Sequence, residues 1–336
     1  MQPTDFSICL TNFLTKYLPA ERGASKNTIT AYRDTFVLLI HYMESTGIKV
    51  TKLTLNKLDR SAILGFLTWV QKVRNGTDRT RNLRLAAVHS FFKYLQYHCP
   101  EGLQGYQEVL GIPMKKAGQT TMTYLSIEGI TLLLQQPDAK TSNGRRDLAL
   151  LSLMYDTGAR VQEIIDLTPS CVRLDNPSTI KVTGKGNKAR IIPMLNGQTK
   201  LLKSYMDEQK LNTPGTNMRP LFFNSRSEKL TRAGVNYILA KYVMMAREKT
   251  PNLMPIQISC HSLRHSKAMH LLQAGVNLVY IRDILGHVSV TTTEIYARVD
   301  SRKKREAIEA AYVETAPKET ASWLKNGNLL EWLNGL

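Results

Sequence analysis

The sequence predicts a mainly α-helical protein with one small β-sheet, divided into an N-terminal helical domain and a mixed α/β domain. Apolar residues recur at intervals of three and four along most of the chain, which indicates amphipathic helices. Only residues 179–192 combine β-branched segments with a Gly-rich turn, which predicts a hairpin. Residues 111–118 mix Gly, Pro and Lys, a composition typical of a linker. At 336 residues the chain is long enough for two domains.

Four amphipathic helices are expected in the first domain, residues 1–110, and together they predict a compact bundle. The second, third and fourth helices each begin at a residue that can cap a helix: Ser25, Asp59, and Thr77 or Asp78. The fourth helix is expected to bury Leu83 on its apolar stripe. Its exposed face is expected to carry three candidate binding residues, Arg79, Arg81 and Arg84.

The rest of the chain is expected to comprise a linker at 111–123, a second domain at 124–300 and a C-terminal segment at 301–336. Ser126 can cap a helix, and residues 145–155 read as an apolar helix at the centre of the core. A hairpin is expected from strands 179–183 and 189–192, with a further short strand at 221–223. Later helices are expected at 231–248, 261–273, 278–285 and 290–299.

The chain is strongly basic, with a net charge of +18 and a pI near 9.7. Residues 1–117 carry 16 − 8 = +8 and the remainder 29 − 19 = +10, so the excess positive charge covers both domains. A basic surface without a function is the plain alternative. The even distribution favours a polyanion, nucleic acid, as the partner of both domains.

Other function classes are disfavoured by composition. No segment approaches the roughly 18 uncharged apolar residues of a membrane span, and the first ten residues do not resemble a secretion signal. The four cysteines are far apart and form no Cys-x-x-Cys pair, so they are expected to be reduced thiols rather than disulfides or zinc ligands. A cytoplasmic, nucleoid-associated bacterial protein is the expectation.

Several residue types suited to phosphate chemistry occur in the second domain. Glu163 lies one turn after Arg160 and could aim its guanidinium at a phosphate, although such pairs are common on surfaces. Lys185 stands in a Gly-flanked turn, where it could protonate a leaving alkoxide or could be a solvated turn residue. The neighbours of this lysine exclude a Walker phosphate loop.

A second group of candidates follows near the C-terminal end. His261 and His265 have helical spacing, but no third metal ligand is evident, so no metal site is predicted. Arg264 is instead a candidate phosphate ligand, and His265 is interpreted as a buried, hydrogen-bonded histidine. His287 precedes a helix, and Tyr296, although one tyrosine of 14, lies in a polar segment expected to leave one helix face open.

In order along the chain, these residues match the active-site pattern of the tyrosine recombinases, the phage-integrase family. The sequence resembles Xer-type recombinases and related mobile-element integrases over roughly residues 5–312. The segments that carry the resemblance in the second domain are 157–163, 184–188, 261–265, 285–287 and 296–297. Residues 27–33 and 83–92 resemble the family's core-binding helices.

The resemblance implies an N-terminal core-binding (SAM-like) domain and a catalytic domain that form a C-shaped clamp on duplex DNA. It implies a site-specific recombinase that cleaves and rejoins strands through a covalent 3′-phosphotyrosyl intermediate, without metal, ATP or other cofactor. Tyr296 would be the nucleophile, and Lys185 the general acid. Arg160 and Arg264 would bind the phosphate, with support from Glu163, and His287 would donate a hydrogen bond to it. His261 would take the proton of the phenol. Lys188 and the three arginines of the fourth helix are candidate DNA-binding residues.

The implied partners are paired DNA sites and other copies of the chain, four protomers in the synapse, with an accessory DNA-bending protein or a second recombinase left open. Dimer resolution, phage integration and transposition share this chemistry. A DNA-relaxing enzyme of the topoisomerase IB type and a non-catalytic integrase-derived DNA-binding protein are the alternatives. The sequence departs from the pattern at Lys267, where relatives commonly have Phe, and in a longer tail. Residues 301–336 are expected to make protomer contacts, with the alternative that the apolar segment 317–336 folds back on its own catalytic domain.

Overall fold

The computed structural model describes residues 2–116, 118, 122–287, 289–299 and 334, without the side chains of Lys185, Arg298 and Val299. The chain divides into two compact units, Met1–Thr120 and Thr121–Leu336. This division falls within the predicted linker, 111–123. The C-terminal segment expected at 301–336 lies outside the described residues, apart from residue 334.

The N-terminal unit is helical, as predicted, and the proposed caps are confirmed: Ser25, Asp59 and Thr77 each accept a hydrogen bond from a first-turn amide. Helix α1 continues as a π-helical segment, Phe13–Glu21, that contains Pro19, whose missing N–H interrupts the ordinary α-helical hydrogen bonding. A fifth helix was not predicted. The five helices are α1 Asp5–Asn12, α2 Lys26–Ser45, α3 Arg60–Lys72, α4 Asp78–His98 and α5 Leu103–Leu110.

The core of this unit is aromatic. Phe13 packs edge-on against Phe91 and Phe36, with ring centroids 5.3 Å and 6.2 Å apart. All four cysteines are free in the structure. The sequence did not predict that Cys9 and Cys99 meet here, with their Sγ atoms 3.1 Å apart.

Helix α4 corrects two predictions about which residues are exposed. Leu83 was expected in the core but is 53% exposed, and Arg81 was expected on the surface but is only 5% exposed. Arg84 is half-buried and donates to Thr35, so Arg79 alone of the three arginines is fully on the surface. Because α4 packs against α2, α3 and α5, its buried surface is wider than the single stripe assumed from periodicity.

Helix α7, Ser142–Thr157, lies at the centre of the second unit. Its apolar residues pack against α9, Asn196–Glu208, and α11, Cys260–Gln273. The predicted cap Ser126 accepts an amide hydrogen bond from Gly129, and Ser289 accepts one from Thr291 at the start of the last helix. Helix α9 and the first strand were not predicted. The elements are α6 Ile127–Leu134, α7 Ser142–Thr157, α8 Val161–Ile165, β1 Val172–Arg173, β2 Thr179–Thr183, β3 Ala189–Pro193, α9 Asn196–Glu208, α10 Arg232–Lys249, α11 Cys260–Gln273, α12 Leu278–Leu285 and α13 Thr291–Val299.

The three strands form an antiparallel sheet in the order β1-β2-β3. The predicted hairpin is confirmed: Thr183 pairs with Ala189, and Gly186 adopts a positive φ of 75° in the turn. The strand predicted at 221–223 is wrong. Phe223 makes only an isolated bridge to Lys229, because the chain turns at once through hydrogen bonds to the Asn224 side chain.

Candidate active site

A buried carboxylate organises one wall of the site. Glu163, only 5% exposed, accepts hydrogen bonds from the Arg160 main-chain N–H at 2.9 Å and from the Arg160 guanidinium at 2.8 Å. Arg190 on β3 donates to the same carboxylate at 2.8 Å and to the carbonyl of Ile284 at 2.8 Å. Burial opposes the charged form, but these donors lower the pKa of Glu163 below its ordinary value. The sequence-based pairing of Arg160 with Glu163 is therefore present, and Arg190 extends it.

Two glycines make room for this ion network. A Cβ at Gly184 would lie 2.9 Å from a Glu163 carboxylate oxygen, and one at Gly286 would lie 2.8 Å from the Arg190 guanidinium. Gly286 also has a positive φ of 68°, where it ends α12. Side chains at these two positions would separate the hairpin and the end of α12 from the ion pairs.

Arg264 is held from behind by main-chain carbonyls. Its guanidinium, 1% exposed, donates to Gly158 at 2.7 Å and to Leu285 at 2.8 Å, at the ends of α7 and α12. Among the described residues its Nε has no partner. Burial and the nearby charge of Arg160 lower the pKa of Arg264 to about 10. Two cationic groups face one another here, an arrangement that a bound anion would relieve.

The Tyr296 phenol lies beside this arginine and is buried, so the prediction that it stands on an open helix face is wrong. It is 1% exposed because α13 packs against both α11 and α12. Its oxygen lies 3.1 Å from Nδ1 of His265, not against His261 as the family resemblance suggested. Burial raises the pKa of the phenol, and the charges of Arg264 and Arg160 act in the opposite direction.

The other two histidines flank this centre. His261 packs edge-on against His265 with ring centroids 4.3 Å apart, and burial, Arg264 and Arg160 lower its pKa. His287 stacks nearly parallel to Tyr296 and contacts the buried Thr293 hydroxyl through Nδ1 at 2.9 Å. Burial, followed by Arg264 and Arg160, lowers the pKa of His287 to about 4, so the ring is neutral at neutral pH. Its Nε2 is then the ring nitrogen left for a ligand.

A cavity of about 440 Å³ opens beside the ion network. Its lining includes Arg160, Lys188, Arg282 and His287. Lys188, predicted to contact DNA, is exposed. The backbone of Lys185 belongs to the turn at this opening, while its side chain lies outside the described part of the chain. No group of acidic, histidine or cysteine residues suited to a metal ion occurs among the described residues.

Comparison with known proteins places this arrangement in a family. The profile of the phage integrase family matches residues 123–303, and the profile of the phage integrase N-terminal SAM-like domain matches residues 11–97. The chain belongs to the phage integrase family. It is a tyrosine site-specific recombinase, and the Xer-type relatives confirm the resemblance seen in the sequence.

The similar proteins include curated sequences and solved structures. The putative integrase/recombinase y4rC of Sinorhizobium fredii is 36% identical over 97% of both chains, and tyrosine recombinase XerD of Listeria monocytogenes is 33% identical over 84% of this chain and 91% of its own. XerH bound to its difH substrate has a TM-score of 0.68 at 24% identity, covering 90% of this chain and 84% of that one. The Tn1549 transposon integrase with transposon end DNA has a TM-score of 0.69 at 14% identity, covering 90% and 98%. These two structures support the fold.

Lys267, the lysine that departs from the family pattern, is paired with a carboxylate within the fold of this recombinase. Lys267 lies 3.6 Å from the Asp156 carboxylate and 5.0 Å from the centre of the Tyr155 ring. The Asp156 carboxylate therefore balances the charge of Lys267, which does not add an unpaired cation to the site. In the part of the recombinase that the structure describes, no helix is long and apolar enough to cross a membrane.

Two residues of this recombinase site were missed by the sequence argument. Arg190 follows the Lys185 turn on β3, and the only sequence signal for it is a basic residue in an otherwise β-branched strand. Thr293 is one of three consecutive threonines, and nothing in the sequence indicates which one turns inward. Both residues act on other site groups, Arg190 on Glu163 and Thr293 on His287.

Proposed function

We propose that Tyr296 is the nucleophile with which this recombinase cleaves and rejoins DNA at paired sites. The phenolic oxygen attacks a DNA phosphorus, a 3′-phosphotyrosyl bond forms, and the 5′-oxygen leaves with a proton. A 5′-hydroxyl of the partner strand then reverses the step and restores the phenol. The observation that carries this proposal is that the buried phenol lies on a helix packed against that of the buried, carbonyl-bound Arg264. The charges of Arg264 and Arg160, two cations suited to a phosphate, both act to lower the pKa of the phenol.

Arg160 and Arg264 bind the non-bridging phosphate oxygens in this proposal. Arg264 is held by two carbonyls and Arg160 by Glu163, so both guanidinium groups are oriented before DNA arrives. Fixed donors of this kind stabilise charge that develops in a transition state without a cost of reorganisation. They supply positive charge that a metal ion supplies in other phosphoryl-transfer sites.

Lys185 protonates the leaving 5′-oxygen, and His287 donates to the phosphate through Nε2 in the same proposal. His261 is exposed one helical turn before the buried Arg264 on α11 and is assigned here to the phosphate. The proton acceptor for the phenol is a separate question, because His261 is not the group that contacts the phenolic oxygen.

Both basic units contact one duplex in this proposal, as the implied C-shaped clamp requires, through Arg79 on α4 and Lys188 at the hairpin turn. Their charge supplies most of the affinity in a salt-dependent way. The proposal also includes four protomers that assemble on two synapsed sites. They act on nucleoid DNA in a bacterial cytoplasm. The relatives named above carry recombinase and integrase names, which supports strand exchange over the relaxing-enzyme and non-catalytic alternatives.

The test is covalent capture on a nicked suicide duplex that contains a site identified by footprinting the DNA that flanks the gene. Wild-type protein should form an adduct that survives denaturing electrophoresis. Tyr296→Phe should form none while its affinity for the site stays within about twofold, because a hydroxyl is removed and no charged phosphate contact is lost.

The control is Tyr280→Phe, since Tyr280 is 66% exposed and lies in the same unit. It should form the adduct at the wild-type rate. A persistent adduct in Tyr296→Phe that disappears in Tyr280→Phe would move the nucleophile to α12. Relaxation of a plasmid without the site would favour the relaxing-enzyme alternative.

A further inference from the structure

One residue at the centre of the site has no role in the scheme above. His265 lies on α11 directly after Arg264, and its Nδ1 is 3.1 Å from the Tyr296 oxygen. Its ring meets the tyrosine ring edge-on, with centroids 5.6 Å apart. Among the hydrogen bonds of the described residues, this is the one that joins the proposed nucleophile to a group that can accept a proton.

The protonation states of the two partners set the direction of this hydrogen bond. Burial raises the pKa of the phenol, so Tyr296 keeps its proton in the free protein. Burial, with His261 and Arg264 next in effect, lowers the pKa of His265 to about 4, so the imidazole is neutral at neutral pH. A phenol has a single hydrogen to donate, and Nδ1 of the neutral ring can accept it when Nε2 carries the ring proton.

We propose that His265, rather than His261, is the catalytic base that takes the phenolic proton when Tyr296 attacks DNA; this rests on the proposed function of Tyr296. In the step, the O–H bond of the phenol breaks as an N–H bond forms at Nδ1 of His265. The phenolic oxygen bonds to phosphorus, and the bond from phosphorus to the 5′-oxygen breaks. The leaving oxygen takes a proton from Lys185, so one proton enters His265 and one leaves Lys185.

Bound DNA makes His265 a better base than it is in the free protein. The ionisable groups that face it are His261 and Arg264 on its own helix and Tyr296 on α13. A phosphate anion held by Arg264 and Arg160 offsets the positive charge that disfavours an imidazolium here. The negative charge that develops on the phosphate during attack stabilises the protonated ring of His265 further. Proton transfer is therefore coupled to formation of the phosphotyrosyl bond.

His261 differs from His265 in exposure and in its contacts. His261 is exposed, whereas His265 is half-buried and contacts the phenolic oxygen through Nδ1. The edge-on packing of the two rings, with centroids 4.3 Å apart, keeps His265 turned toward the tyrosine.

The experiment measures the rate constant of covalent capture under single-turnover conditions for wild type, His265→Asn, His265→Ala and His261→Ala. Asparagine can accept the phenolic hydrogen bond but cannot take the proton, so His265→Asn should cleave about 100-fold more slowly with site affinity unchanged. Added imidazole should accelerate His265→Ala, and the acceleration should increase with the basicity of methylated imidazoles. It should not accelerate His261→Ala.

Three results would overturn the proposal. They are a wild-type rate in His265→Asn, rescue of His261→Ala in place of His265→Ala, and equal rescue by imidazoles of different basicity. Because a variant could fold poorly, a second measurement uses folded wild type: nitrogen NMR of labelled histidine should show Nδ1 of His265 unprotonated, with a resonance that shifts in Tyr296→Phe. A protonated Nδ1 would also overturn it.

The same assay separates this proposal from the proposed function. If Tyr296→Phe still forms the adduct, the assignment of the nucleophile fails and that of the base fails with it. If Tyr296→Phe forms none and His265→Asn cleaves at the wild-type rate, only the role of His265 is wrong.

Discussion

Arg81 in the N-terminal unit and Arg264 in the catalytic unit are similar in isolation and differ in what surrounds them. Both are buried, at 5% and 1% exposed, and both donate to main-chain carbonyls, Arg81 to Pro113 and Arg264 to Gly158 and Leu285. Arg81 ties α4 to the start of the linker. Arg264 instead faces Arg160 and the Tyr296 phenol, and its pKa is lowered to about 10 by burial and by that second arginine.

The comparison teaches that a buried, carbonyl-bound arginine is not by itself a sign of a phosphate site. The sign is that the charge of a second arginine opposes the charged form of the first, so that an anion would lower the energy of both. Arg81 joins α4 to the backbone at Pro113, whereas the arrangement around Arg264 is one that a bound anion would stabilise. Three substitutions test this distinction.

The largest effect is expected for Arg264→Lys. A lysine keeps one charge but cannot hold both carbonyls and a phosphate at once, because it lacks the planar fork. The rate constant for covalent capture should fall about 1,000-fold. Single-turnover capture on the nicked duplex measures it.

The matched control is Arg81→Lys, which makes the same chemical change at the other buried arginine. It should lower the melting temperature of the protein and leave the capture rate of the folded fraction unchanged. Equal losses of capture in the two variants would mean that burial alone, and not convergence with Arg160, gives Arg264 its role.

Lys185→Ala should have the next largest effect. It tests a cation other than the two oriented arginines, Arg160 and Arg264. Capture should slow about 100-fold on an ordinary duplex, because the leaving 5′-oxygen would lack its acid. On a 5′-phosphorothiolate duplex the sulfur leaves without protonation, so the variant should recover the wild-type rate. An equal defect on both substrates would reduce Lys185 to a phosphate contact like the arginines.

The smallest effect is expected for Glu163→Gln, which removes charge from beneath Arg160 and Arg190 but keeps the shape of the side chain. The free energy of unfolding should fall by about 1–3 kcal/mol at neutral pH, because the half-buried Arg160 and the mostly buried Arg190 lose a buried charged acceptor. Because the folded pKa of Glu163 is lowered, its contribution is present above the unfolded pKa and is lost as pH falls through the folded pKa.

Chemical denaturation as a function of pH measures this difference. The gap between wild type and Glu163→Gln should close on acidification below the ordinary pKa of a glutamate. A gap that stays constant with pH would mean that packing, rather than the ion pairs with Arg160 and Arg190, holds Glu163. Glu208→Gln is the control, since Glu208 pairs with Arg145 away from the site.

Much of the fold could be predicted from local patterns. The caps at Ser25, Asp59 and Ser126 were predicted because a side-chain oxygen followed by a helical apolar stripe satisfies the first free amides. The hairpin was predicted because Gly184 and Gly186 interrupt two β-branched strands. Helix α9 was missed because its buried residues alternate with lysines, which weakens the apolar stripe.

The composition of the site was also predicted, but several of its contacts were not. Arg160, Glu163, Arg264, His287 and Tyr296 were chosen by residue type and order, and their surroundings agree with a phosphate site. The exposure of Arg81, the open face of Tyr296 and the partner of its hydroxyl were predicted wrongly. Each depends on helices brought together from distant parts of the chain.

The sequence alone therefore determined most of the helices, the hairpin, the basic charge of both units and the set of groups available for phosphate chemistry. Periodicity and capping act within a few residues, so these features need no knowledge of the tertiary fold. Only the packing of α13 against α11 and α12 decided that Tyr296 is buried and meets His265 rather than His261. The two histidines are one helical turn apart, and which of them faces a third helix depends on how the helices pack.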